Sequence, residues 1–149
     1  MKKIILFIIA AGLLIGGGTA LYLWNKPHKT AEGEKPFATM SADSLFQEYF
    51  AATDSSVSKK YSEKVIQVHG IAAEDGEELQ NGRWKVRLKA DEEGMNSVVV
   101  ELIAGATAAN IKSGMNIEAK GICIDYLAYD MGLGGEVQMN QGVLIESKK

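Results

Sequence analysis

The sequence predicts a mainly β domain that follows one N-terminal transmembrane helix. Residues 4–24 form an uncharged run rich in Ile, Leu, Phe, Ala and Gly. From residue 64 onward apolar residues recur at every second position, which is the period of a strand with one buried face. We therefore divide the chain into a basic N-terminus (1–3), an anchor (4–24), a linker (25–40) and a domain (41–149).

The anchor is predicted from its length and its ends. A helix over residues 4–24 would be about 31 Å long, close to the thickness of a bilayer's hydrocarbon core. Tyr22 and Trp24 stand at its end, where aromatic rings favour the headgroup layer. A secretory signal, cleaved after small residues 18–20 or left uncleaved, is the alternative. The apolar run continues past that point, which favours an anchor.

The charges beside the anchor indicate its orientation. Lys2 and Lys3 favour an N-terminus that stays in the cytoplasm, although Lys26 and Lys29 nearly balance them. We expect a single-pass protein of the inner (cytoplasmic) membrane with its domain on the extracytoplasmic side.

The charge of the remaining chain disfavours nucleic acid as a partner. Two of the 16 basic residues precede residue 25, so the rest of the chain carries 14 against 19 acidic residues, a net charge of −5. Proteins that hold phosphate backbones normally carry an excess of Lys and Arg.

One helix and five strands are predicted after the linker. Ser41 is a good helix N-cap, and Leu45, Phe46, Tyr49 and Phe50 form an apolar stripe, so we expect a helix over residues 41–61. Strands are predicted at 64–71, 83–90, 97–102, 116–124 and 136–145, with a short helix or helical turn at 105–111. The run 97–102 is apolar on both faces, which is typical of a central strand.

Three strands, a short helix and two strands follow the order of the OB-fold, a partly open five-stranded barrel. The fold class we predict is a five-stranded OB-fold-like barrel with a preceding helix, plus one N-terminal transmembrane helix. A mixed α+β sheet is the alternative.

Three segments are similar to a known family. Residues 41–46 (Ser-Ala-Asp-Ser-Leu-Phe), 60–70 (Lys-Tyr-Ser-Glu-Lys-Val-Ile-Gln-Val-His-Gly) and 112–123 (Lys-Ser-Gly-Met-Asn-Ile-Glu-Ala-Lys-Gly-Ile-Cys) resemble the tRNA_anti-like proteins, membrane-anchored OB-fold proteins of Bacteroidetes-type bacteria. The resemblance implies an OB-fold and does not by itself imply a function. Gly142 lies near the place where the family pattern has a second Cys, so no disulfide is carried over.

The strand 83–90 carries the candidate binding residues. Arg83, Lys85, Arg87 and Lys89 share one face of it, and in OB-folds the face of the second and third strands binds oligonucleotides and oligosaccharides. The simpler interpretation is a solvent-facing row paired with Glu101 or with the acidic turns. No aromatic residue is expected on the cationic face, since Trp84 points the other way, and this disfavours stacking on bases.

Neither His69 nor Cys123 is predicted to be catalytic. His69 has no second ligand at metal spacing and no obvious acid–base partner, and Cys123 lies in an apolar run typical of a buried thiol. The acidic turns 74–78 and 91–93 lack the spacing of a calcium loop. We therefore predict no metal, no cofactor and no catalytic residue.

The sequence favours a non-enzymatic module at the cell envelope. It would bind the membrane through residues 4–24 and an unknown protein, peptide or glycan through its domain. The alternative is an OB-fold that binds single-stranded nucleic acid, similar to a tRNA anticodon-binding domain, if the domain is cytoplasmic. An envelope enzyme that uses His69 or Cys123 is the least favoured hypothesis.

Overall fold

A computed structural model describes residues 12, 15–24, 30–52, 55–129 and 134–145. Residues 15–24 are helical, and no helix among the described residues is both long enough and apolar enough to cross a bilayer. Of the predicted anchor, residues 4–11, 13 and 14 lie outside the described residues.

The domain is mainly β, as predicted. Its elements, in chain order, are β1 (Ala38–Ser41), α1 (Ala42–Ala51), α2 (Ser56–Tyr61), β2 (Val65–Ile71), β3 (Glu77–Glu78), β4 (Trp84–Lys89), β5 (Ser97–Leu102), β6 (Asn116–Ala128) and β7 (Gly135–Leu144). The strands form one sheet in the order β1-β2-β6-β7-β5-β4-β3. All five predicted strands are present, and β5 lies between two neighbours, as expected for a strand that is apolar on both faces.

The two outermost of the five predicted strands, β2 and β4, approach one another. β7 pairs with β6 in the antiparallel and with β5 in the parallel direction, whereas β2 and β4 occupy more distant positions in the sheet. An isolated antiparallel bridge joins Ala72, just after β2, to Leu88 of β4. The amide of Ala73 also donates to the carbonyl of Arg87 at 2.8 Å. The sheet therefore curves until β2 and β4, which are distant in the strand order, come into contact.

The core lies inside this curve and is covered at one side by α1. Ser41 is the N-cap of α1 and accepts a hydrogen bond from the Ser44 amide at 3.1 Å, as the sequence predicted. The helix buries Leu45, Phe46 and Tyr49 against the sheet. The inner residues of β4, β5 and β7 complete the core, among them Val86, Leu88, Val98, Val100, Val137 and Met139.

The structure departs from the predicted elements at several places. β1 and β3 were not predicted, so the sheet has seven strands and not five. β6 continues through residues 125–128, which were assigned to a loop, because they pair with 135–138 of β7. The predicted helix 41–61 is divided into α1 and α2. Residues 105–111 form hydrogen-bonded turns, Ala106 to Ile103 and Ile111 to Ala108, and not a helix.

The predicted linker 25–40 is attached to the sheet over its second half. Residues 25–29 lie outside the described residues. The side chain of Ala31 is buried, and Ala38 to Met40 belong to β1, which pairs in parallel with β2. Apolar alternation is too short in this segment to predict a strand from the sequence.

Candidate functional site

The four predicted binding residues lie on one face of β4. Val86 and Leu88 between them are buried in the core, while Arg83, Lys85, Arg87 and Lys89 are half-buried on the opposite side. This face continues across β5 through Glu101, Val99 and Ser97, because these residues are the register partners of Lys85, Arg87 and Lys89. We call this surface the outer face; it consists of residue 83 just before β4, residues 85, 87 and 89 of β4, and residues 97, 99 and 101 of β5.

Three of the four cations are paired with carboxylates. Arg83 Nη1 lies 2.8 Å from Glu101 Oε1, and Lys85 Nζ lies 2.6 Å from Glu77 Oε2. Pairing with Glu101 and with an acidic turn is what the simpler interpretation of the row predicted. The outer face therefore offers alternating donors and acceptors and not an uncompensated positive stripe.

Arg87 lies at the centre of a hydrogen-bonding network with three partners. Its Nε donates to Glu74 Oε1 at 3.0 Å, and its Nη1 donates to Glu136 Oε2 at 2.8 Å and to Ser97 Oγ at 2.9 Å. Burial opposes the charged guanidinium, but the hydrogen bonds that Arg87 donates to Glu136 and Glu74 outweigh it and raise the pKa of Arg87 further. The guanidinium thereby connects the loop after β2 to the first residues of β7.

Glu136 is the least exposed carboxylate among these ion pairs, with a side chain 12% exposed. Burial alone would raise its pKa, but hydrogen bonds from Gln138, Arg87 and Tyr129 prevail, and the pKa lies below its usual value. The Tyr129 hydroxyl donates to Glu136 Oε2 at 2.9 Å. Tyr129 thus supplies an aromatic ring at the edge of the outer face, from a loop and not from β4.

Lys89 differs from the other three cations because it has no ion-pair partner among the residues that the structure describes. It lines a cleft of about 620 Å³ beside the N-terminus of α1. The cleft walls include Asp43 and His69, and Asp91 and Glu92 of the second acidic turn. The cleft therefore combines positively and negatively charged side chains with aliphatic ones, such as Ala42 and Ile71.

His69 and Cys123 occupy very different surroundings. The side chain of His69 is exposed on β2. Cys123 is 1% exposed, and its Sγ lies 3.2 Å from the Tyr49 hydroxyl. Burial raises the pKa of the Cys123 thiol, which disfavours the thiolate that nucleophilic chemistry needs. Within the described part of the chain, His, Cys, Asp and Glu form no cluster that could hold a metal ion.

The acidic turns act as hydrogen-bond acceptors within the fold. Asp75 pairs with Lys112 at 2.8 Å and accepts from the Ser113 amide at 3.0 Å, which holds its pKa below the usual range. Asp91 accepts from the amides of Gly94 and Asn96. These contacts give Asp75 and Asp91 hydrogen-bond partners within the fold.

The comparisons with known proteins identify the family. A family model described as tRNA_anti-like matches residues 1–133. The chain belongs to the tRNA_anti-like family. A search of curated proteins finds no match. The family and the strand order agree on an OB-fold-like domain, which the sequence segments 41–46, 60–70 and 112–123 had indicated.

Sequence reasoning missed Glu136 and Tyr129 as members of the outer-face network, whereas Glu74 belongs to an acidic turn that was expected to pair with the cations. The alternation of polar residues on the last strand was visible in the sequence, since Glu136 and Gln138 lie two residues apart. However, only the parallel register of β5 with β7 shows that Ser97 faces Glu136 and that Val99 faces Gln138. A pairing between residues 49 positions apart, such as Arg87 with Glu136, has no local sequence signal.

Proposed function

We propose that the protein is a non-catalytic binding module, anchored in a membrane, that recognises a protein, peptide or glycan at the cell envelope through its outer face. The observation that carries this proposal is the Arg87 network. It holds a charged, half-buried group between the loop after β2 and the start of β7, on the surface where OB-folds take ligands.

The barrel interpretation rests on strand order. β2, β4, β5, β6 and β7 correspond to the five strands of a partly open OB barrel, and the Ala72–Leu88 bridge lies where such a barrel would close. On that correspondence β4 and β5 are its second and third strands. The loop 72–83 beside them corresponds to one of the loops that border the ligand groove in OB-folds.

The chemistry of the outer face favours a ligand with both donors and acceptors. Proteins that bind a phosphate backbone gain most of their affinity from unpaired Lys and Arg side chains. Arg83, Lys85 and Arg87 are instead paired with carboxylates of the same domain. Hydroxyl groups of a glycan, or amides of a peptide, can bond to guanidinium and carboxylate alike. The nucleic-acid alternative is therefore not favoured.

A binding role without catalysis also agrees with the surroundings of Cys123 and His69, the two residues considered for catalysis. Cys123 is enclosed by the core with a raised thiol pKa. His69 is exposed beside a mixed-charge cleft, and the structure gives it no hydrogen bond to an orienting carboxylate among the described residues. A general base must first be held in a suitable hydrogen-bond geometry before its pKa matters.

The anchor and the location of the domain are further parts of the proposal. They rest on the uncharged run 4–24, on its aromatic end and on Lys2 and Lys3. C-terminal fusions to one reporter enzyme active only in the periplasm and one active only in the cytoplasm provide the test. We expect activity from the periplasmic reporter; activity from the cytoplasmic one would remove the envelope location and restore nucleic acid as an accessible partner.

The outer face is tested with a charge-reversal pair. In Lys85→Glu/Lys89→Glu the central Arg87 network is kept, and Lys35→Glu/Lys59→Glu makes the same change of charge at exposed positions away from β4. Each chain is used in detergent pull-downs, on a glycan array and in fluorescence anisotropy with a single-stranded oligonucleotide.

We expect the first pair to lose ligands that the second pair retains. An identical ligand set for both pairs would remove the outer face as the binding surface. Salt-dependent oligonucleotide binding that only the first pair loses would favour the nucleic-acid alternative.

A further inference from the structure

We infer that one end of the barrel lies against the bilayer surface, and that its partner there is the lipid headgroup layer. The surface consists of the loop 103–111 with Glu32, Val143 and Leu144, and we call it the membrane-facing end. The inference rests on the proposed anchor in residues 4–24. It adds a defined orientation of the domain, which an anchor alone does not give.

The first observation is that the chain is fixed to the sheet soon after the anchor. Ala31 is fully buried, and its amide donates to the carbonyl of Gln141 at 3.1 Å. Lys120 Nζ donates to the carbonyls of Glu32 at 3.1 Å and Glu34 at 2.8 Å. From residue 31 onward the segment is therefore part of the domain and not a free spacer.

The second observation is covalent reach. Seven Cα–Cα steps separate Trp24 from Ala31, and at about 3.6 Å per residue they span at most roughly 25 Å. A compact domain of this size has a radius of gyration of about 13 Å and hence a diameter of roughly 35 Å. With Trp24 in the headgroup layer, the side of the domain that carries Ala31 is held next to the bilayer.

The third observation is the character of the surface beside that attachment. Glu32 lines a cleft of about 640 Å³ together with Ile103, Ala106, Ile111 and Leu144. Residues 102–111 contain no charged side chain, although 23% of the chain is charged. Five of them are exposed: Ala104, Gly105, Thr107, Ala109 and Asn110. Glu32 is the one charged residue of the membrane-facing end, so this surface meets less repulsion from anionic headgroups than a strongly acidic one would.

The second acidic turn lies far from the loop 103–111. The turn 91–93 precedes β5 and the loop 103–111 follows it, so the two lie at opposite ends of that strand, roughly 17 Å apart. The first acidic turn lies beside the loop, since the Gly76 amide donates to the Ile111 carbonyl at 3.1 Å. Three acids of that turn are paired with cations: Glu74 with Arg87, Asp75 with Lys112 and Glu77 with Lys85. In addition, Lys26 and Lys29 of the linker supply cations for anionic lipid. The outer face runs along β4 and β5 between the two ends and stays accessible.

The test compares two labelled positions on the full-length chain. Ala104→Cys places a thiol on the membrane-facing end, and Met95→Cys places one on an exposed side chain beyond the opposite end of β5. Both are made with Cys123→Ser, labelled with a nitrobenzoxadiazole fluorophore and reconstituted into phosphatidylcholine–phosphatidylglycerol vesicles. Lipids with a nitroxide on the headgroup serve as the quencher.

We expect quenching at residue 104 to exceed quenching at residue 95 several-fold. A flexible insertion of twenty Gly and Ser residues between 29 and 30 should reduce this preference, since it lengthens the tether. Equal quenching at both positions, or stronger quenching at residue 95, would overturn the inference.

Extraction with alkaline carbonate separates the two proposals. A chain that resists extraction but shows no preference for residue 104 keeps its anchor and loses the orientation. Release of the chain by carbonate would overturn the anchor, and with it the orientation.

Discussion

Arg87 of β4 and Glu136 of β7 form an ion pair across β5, with Nη1 2.8 Å from Oε2 and side chains 23% and 12% exposed. The pair is less exposed than the others of the outer face, and both partners carry further hydrogen bonds. Removing one partner leaves the other poorly hydrated, and that cost exceeds the loss of a surface ion pair.

Arg87→Met is expected to lower the free energy of unfolding by about 2 kcal/mol, because Glu136 would keep its charge without its cation. Arg83→Met is the matched control: its partner Glu101 is 33% exposed, and we expect a loss of only about 0.5 kcal/mol. Urea unfolding followed by tryptophan fluorescence measures both. Equal losses would mean that solvent screens the Arg87 pair as fully as the Arg83 pair.

Glu136 should also make stability depend on pH. Its folded-state pKa lies below the usual 4.5, so its contribution is fully present above the unfolded-state pKa and is lost as pH falls from about 4.5 through the folded-state value. Unfolding free energies of the wild type and of Glu136→Gln, measured at several pH values, should differ by a constant amount above about pH 5 and converge below it. A difference that stays constant down to acid unfolding would contradict the lowered pKa.

Local sequence signals were sufficient for the elements that carry the core. Alternation of apolar residues predicted β4, since Val86 and Leu88 must face away from Arg87 whatever the register. The N-cap Ser41 predicted the start of α1 because capping involves only residues three positions apart. Both depend on short-range geometry.

Long-range pairing accounts for what the sequence could not predict. β1 has four residues and β3 has two, so neither is long enough for a periodic signal, and each exists because a neighbouring strand provides its partners. The outer-face network likewise depends on the register of β5 with β7. The cations of the network were predictable from β4 alone, whereas its carboxylate Glu136 required that register.

The contact of Gly76 with Ala108 joins the loop after β2 to the membrane-facing end. A Cβ on Gly76 would overlap the carbonyl oxygen of Ala108, a backbone atom that cannot move aside cheaply. Gly76→Ala should therefore lower the free energy of unfolding by about 2 kcal/mol or more. Gly33→Ala is the matched control, since a Cβ there meets nothing within 4 Å, and should be close to neutral in the same urea titration. A neutral Gly76→Ala would show that the two loops can separate freely.

The buried contact between Tyr49 and Cys123 tests how α1 is attached to β6. The Tyr49 hydroxyl lies 3.2 Å from Cys123 Sγ, and burial raises the pKa of both groups, so the contact joins two neutral side chains. Cys123→Val removes the partner of a buried hydroxyl and should cost about 1–2 kcal/mol. Cys123→Ser, which can still bond to Tyr49, should cost less through this contact.

Tyr49→Phe distinguishes the hydrogen bond from packing. In the Tyr49→Phe background the hydroxyl is already absent, so Cys123→Val should cost about 1 kcal/mol less there than in the wild type. Thermal or urea unfolding of the two single variants and the double variant gives this coupling energy. Additive losses would mean that Cys123 stabilises the fold only as a small apolar side chain, because the Tyr49 hydroxyl then finds an equal partner in water.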